Sequence, residues 1–122
     1  MSNSFDTFTP EVYRGTVTEY KYYMNDKHTG SLYLLSDTEK GENKCMWRSV
    51  RTNRCTKWHG RWSITDGQKL ASFCCHGYEN FKWSIFDEDG IGRDYRGREI
   101  RVQVTRKWQM DTATSSYFDE PS

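Results

Sequence analysis

Apolar and polar residues alternate with a period of two along much of the chain. In Trp58-His59-Gly60-Arg61-Trp62-Ser63-Ile64 the even positions are apolar or glycine and the odd ones polar, and the Asp66-Gly67 dipeptide that follows is a hairpin signal. Gln68 to His76 sets Ala71, Phe73 and Cys75 on one face. Phe81-Lys82-Trp83-Ser84-Ile85 alternates again, which turns Phe81, Trp83 and Ile85 toward a core, and Ile100, Val102 and Val104 alternate with Arg101, Gln103 and Thr105. Upstream, Val12 to Tyr23 reads as a long strand and Asn25 to Gly30 as a polar turn. Ser31 to Leu35 is a short strand, Asp37 to Asn43 a loop, and Lys44 to Val50 a strand. No stretch repeats apolar residues at helical spacing long enough to predict a helix.

About seven short strands with polar connections predict an all-β fold, a single small antiparallel β-barrel or sandwich over residues 11–110. Residues 1–10 and 111–122 read as flexible polar tails, the second one acidic. Composition supports this reading. Leu, Ile, Val and Phe together number only 19 of 122 residues, but 19 residues are aromatic, so rings make much of the core. The 18 basic and 17 acidic residues nearly cancel, which removes a disordered polyelectrolyte from consideration.

The triplets Trp62-Ser63-Ile64 and Trp83-Ser84-Ile85, each followed by an Asp-Gly turn, stand 21 residues apart. They read as two strands of one meander that bury Trp and Ile on the same face. Gly60-Arg61-Trp62, with Asp66-Gly67 and Leu70 behind it, is similar to the strand-and-hairpin segments of lipocalin-like barrels over about a dozen residues, too short a stretch to assign a family.

Charge is segregated although its sum is small. Residues 1–43 carry a net −3, residues 44–110 a net +7 and residues 111–122 a net −3. From Lys44 to Thr65 there is no acid, while Arg48, Arg51, Arg54, Lys57 and Arg61 are interleaved with Trp47, Trp58 and Trp62. Basic residues among rings hold single-stranded nucleic acid. Strand alternation, however, turns most of these rings inward and leaves an Arg and Lys surface that meets an acidic protein. Arg101, in a second basic stretch with Arg93, Arg96, Arg98, Arg106 and Lys107, adds to that surface.

Catalytic and metal signatures are weak. Cys55-x₃-His59 and Cys74-Cys75-His76 lack a zinc-knuckle spacing. The Asp87-Glu88-Asp89-Gly90 loop puts Arg98 where a calcium loop needs a glutamate, so it reads as an acidic turn. His59 and His76 fall on consecutive strands, where they could act as general base and acid on a phosphodiester with Arg61 or Lys69 stabilising charge, but nothing in the sequence fixes their separation. Cys45, Cys55, Cys74 and Cys75 are expected as free thiols that pack as small apolar groups, with a Cys45–Cys55 bridge as the alternative. The expectation is therefore a non-catalytic interaction module, an accessory subunit of a larger assembly, needing no cofactor or metal. Its acidic partner meets Arg48, Arg51, Arg54, Lys57, Arg61 and Arg101. An RNA or single-stranded DNA binding domain is the first alternative, and a small-ligand-binding barrel or small barrel enzyme the second. Whether the barrel is filled or hollow separates scaffold from carrier. The polar start and the lack of any long apolar run predict a soluble, intracellular protein without a membrane span.

Overall fold

The computed structural model describes residues 13–37, 41–53, 55, 56, 58, 60–73 and 82–111. Among these the chain forms eight strands: β1 (Arg14–Met24), β2 (Lys27–Asp37), β3 (Asn43–Ser49), β4 (Gly60–Thr65), β5 (Gln68–Phe73), β6 (Lys82–Phe86), β7 (Ile91–Asp94) and β8 (Glu99–Asp111). Each pairs antiparallel with the next, and β8 returns to pair with β1 from Arg14↔Asp111 to Met24↔Ile100, so the sheet closes into a barrel. The fold is all-β, as the alternation predicts, and of the two architectures expected it is the barrel. No helix of the described residues is long and apolar enough to cross a membrane.

Turn chemistry sets the strand lengths. Asn25 and Asp26 both take positive φ, as do Asp66 and Gly67, the combination a two-residue hairpin turn requires. The first of these turns is thus only two residues long. Pairing runs to Met24↔Lys27, and β2 starts four residues earlier than the polar composition of 25–30 predicts. β7, four residues long, is the strand that alternation did not reveal. It lies between two turns of one design, in which Asp87 Oδ1 accepts the N–H of Asp89 and Ile91, and Asp94 Oδ1 accepts the N–H of Arg96 and Arg98. The Asp87 loop is a hairpin turn, as its sequence indicates.

Two hydrophobic clusters occupy opposite faces of the sheet. Inside the barrel Tyr20, Tyr22, Leu32, Leu34, Cys45, Ala71, Phe73, Phe86, Ile100 and Val102 pack together, with Trp47 and Trp62 against them. Outside it, Val17, Tyr33, Leu35, Met46 and Met110 form a second cluster with Trp58, flanked by Tyr13, Cys55 and Trp108. A bulge lets β8 serve both. Glu19 pairs with Arg106 and Tyr20 with Val104, leaving Thr105 unpaired, so Ile100 and Val102 face in while Trp108 and Met110 face out. Trp58 reaches the outer cluster because Cys55 and Thr56 bond back to Arg48 and Trp47, whereas β4 proper begins only at Gly60, opposite Cys45. Cys45 and Cys55 are free thiols, as expected.

The sequence-based reading of β6 is corrected. Ser84 is opposite Ala71 and Phe86 opposite Gly92, and Ser84 and Phe86 are buried, so β6 turns Lys82, Ser84 and Phe86 inward. Trp83 and Ile85 face out, with Trp83 39% exposed. The two Trp-Ser-Ile segments therefore differ in phase, since Trp62 packs against the inner cluster. Ile64, which shares the inward phase of Trp62, is 66% exposed because β4 ends at the rim.

Candidate functional site

The middle of the barrel is filled by Tyr20, Leu32, Leu34, Phe86 and Ile100, and space opens toward one mouth. There a cavity of about 180 Å³ is bounded by Tyr22 and Met24 of β1, Trp47 of β3, Phe73 of β5, Lys82 and Ser84 of β6, and Asp94 and Arg98 of the β7–β8 hairpin. Its volume suits a single small molecule, being close to that of an apolar cavity that accepts benzene.

One side is aromatic. Trp47 stacks on Phe73 with ring centroids 5.4 Å apart and planes 9° from parallel, and Tyr22 meets Trp47 edge-on at 4.9 Å. Gly30 makes room for the indole, because a Cβ built there falls 2.3 Å from two Trp47 ring atoms.

The facing side is polar. Tyr22 Oη and Ser84 Oγ lie 2.6 Å apart in a buried hydrogen bond that joins the two walls. Burial pushes the Tyr22 phenol up to about 12, against the opposing pull of the Ser84 bond. Asp94, whose side chain is 3% exposed, accepts from Arg98 Nε at 2.8 Å and pairs with Arg98 Nη2 at 2.7 Å, besides the two backbone N–H groups of its turn. Burial pushes its carboxyl up, but the Arg98 guanidinium and the N–H groups of Arg98 and Arg96 outweigh this and hold it below the usual 3.8. The pair is thus fixed and charge-matched. Lys82, a half-buried residue, has no hydrogen bond or ion pair among the described residues, and its charge contact is the Tyr95 ring at 6.0 Å.

The basic residues singled out by sequence lie elsewhere. Arg48 faces outward on β3, half-buried, and its Nε has no hydrogen-bond partner among the described residues. Cross-strand register puts it in one row with Ser31, Lys21 and Gln103. Arg101 occupies the next row on β8, its guanidinium 5.6 Å from the Tyr23 ring centroid and 3.5 Å from Asp26. Arg51 is exposed in the turn after β3, and Arg61 is exposed on β4 opposite Lys44. The structure therefore gathers Arg48 and Arg101, with Lys21, on one outer face and leaves Arg61 beside Lys44, four residues along β3 from Arg48. Arg54, Lys57, His59, Cys74, Cys75 and His76 lie outside the described residues. Among the described residues no three His, Cys, Asp or Glu side chains come together as a metal site.

Sequence reasoning missed the mouth cavity because alternation on β6 favoured the opposite phase. The usable signal was the repeated Asp-x-x-Gly-x turn at Asp87 and Asp94. Setting Phe86 opposite Gly92 places Ser84 opposite Asp94, two polar groups on one face. Comparison with protein families, with curated proteins and with solved structures finds no match.

Proposed function

We propose that the protein is a non-catalytic small-ligand-binding barrel, with its ligand seated in the mouth bounded by Tyr22, Trp47, Phe73, Lys82 and Ser84. The observation that carries this is the phase of β6. A strand that sets Lys82 and Ser84 inward at the cavity, while Ile85 faces outward and Trp83 borders the cavity at 39% exposure, breaks the pattern a purely structural barrel would keep. Such breaks of local rule concentrate at functional sites. Concave sites of this kind combine an apolar wall with a few convergent polar groups. The free thiols Cys45 and Cys55 support an intracellular setting.

The test is a fragment titration followed by amide and indole chemical shifts. Single-ring compounds should shift Trp47, Ser84 and Tyr22 and leave Lys21 and Gln103 on the outer face unmoved. Shifts confined to the outer face would overturn the reading.

The outer face supports a second reading, the interaction module. Lys21 and Arg48 share one cross-strand row and Arg101 lies in the next, and the buried Arg48 Nε has no hydrogen-bond partner among the described residues. An acidic protein surface is the partner that fits, within a larger assembly. Reversing Lys21 and Arg101 to Glu should then abolish capture of that partner without unfolding the barrel. Retention of generic single-stranded RNA by the same face would favour the nucleic-acid alternative instead.

A further inference from the structure

We infer that the mouth cavity takes a small planar ring carrying one negative charge, the ring lying against the Tyr22–Trp47–Phe73 wall and the charge meeting the Lys82 ammonium. This rests on the ligand-binding reading above and specifies the class of ligand.

Three observations select that class. Charge comes first. Among the described residues that line the cavity, those with a formal charge are Lys82, Asp94 and Arg98. Asp94 and Arg98 are occupied with each other through contacts of 2.7 and 2.8 Å, so the Lys82 charge remains. Beside an apolar wall, and with no carboxylate bonded to it among the described residues, this ammonium is matched in sign by one anionic group. The same charge disfavours a cationic ligand, although stacked rings would otherwise suit one.

Size comes second. The cavity holds about 180 Å³, and Leu32, Phe86 and Ile100 close the barrel beyond it. A long acyl chain has nowhere to extend, whereas one ring with a short acidic arm fits. Shape comes third. Trp47 and Phe73 lie 9° from parallel, and Tyr22 stands edge-on to Trp47, so the wall presents flat and edge surfaces to a ring.

Two isosteric probes, phenylacetate and phenylacetamide, differ only in the charge. Binding is measured by calorimetry and by the shift of the Trp47 indole N–H, on the full chain. Phenylacetate should bind at least about tenfold more tightly than phenylacetamide, an advantage of about 1.4 kcal/mol, and it should weaken as salt rises. Lys82→Gln should remove this advantage and its salt dependence while leaving phenylacetamide binding unchanged. Lys82→Arg, which keeps the charge, should retain it. Equal affinities for the two probes in the unaltered protein would overturn the inference and leave the ligand-binding reading standing. The same holds for an advantage that survives Lys82→Gln. Binding of neither probe, with the Trp47 signal unmoved, would overturn both.

Discussion

Gly30 and Trp47 form a single packing unit. The indole occupies the space where a side chain on residue 30 would sit, and a Cβ there would also fall 2.6 Å from the Arg48 carbonyl oxygen. Backbone on one side and a stacked ring on the other leave little room for relaxation. Gly30→Ala should therefore cost about 1–3 kcal/mol, the usual penalty of overpacking, read from urea unfolding, and should reduce the near-ultraviolet signal of the Trp47–Phe73 stack. Asp94 acts through charge instead. Its carboxylate closes the β7–β8 turn and holds Arg98. Asp94→Asn should cost about 1.5–3 kcal/mol, the range for hydrogen bonds to a charged group. Because its folded pKa lies below the ordinary 3.8, the contribution is complete above that value and is lost as pH falls through the lower folded one. The urea midpoint of the unaltered protein should thus drop in acid below pH 3.8, and that of Asp94→Asn should drop less.

At the scale of elements, β6 offers the clearest experiment. Phe86 is 2% exposed and faces in, while Trp83 is 39% exposed and faces out. Phe86→Ala should cost about 3–5 kcal/mol, and Trp83→Ser about 1 kcal/mol or less. The reverse ranking would restore the phase that hydrophobic alternation implies. Most strands were legible in the sequence because one face of each is buried and the other wet. Ile100 and Val102 face in as their spacing predicts, and Asp66-Gly67 forms the turn its dipeptide signals. Alternation fails where that asymmetry fails. β6 carries apolar residues outward and a lysine inward, and Ile91-Gly92-Arg93-Asp94 offers one apolar side chain at the start of its four positions. The register of β6 depends on closure against β5 and β7, a non-local property that no local pattern encodes. The basic cluster was legible as residue type but not as a surface, because row membership depends on pairing across β1, β2, β3 and β8.

For the whole molecule, burial ties stability to alkaline pH. Burial pushes the Cys45 thiol up to about 12, and the phenols of Tyr22 and Tyr33 likewise to about 12, from ordinary values of 9.0 and 10.0. All three pKa values are raised on folding, so their contribution is fully present below pH 9.0 and is lost as pH climbs toward 12. Urea midpoints should hold up to pH 9 and fall steeply above it. Burial raises the Tyr20 phenol as well, so tyrosinate absorbance should show at least three phenols that ionise only as the barrel unfolds.

Closure also places the first and last strands side by side, with Arg14 Nε 3.1 Å from Asp111 Oδ1. In a ring of eight antiparallel neighbours, no hairpin is structurally privileged as the point where the chain is cut. A circular permutant that links the segments beyond Arg14 and Asp111 and opens the exposed Asp66-Gly67 turn keeps every strand pair, since that turn contributes none of the pairing between Thr65 and Gln68 on either side of it. It should fold to the same barrel. Its new ends would lie at the β4–β5 turn, so a peptide tag or reporter domain could be carried there, with the Lys82 mouth still formed by the same residues.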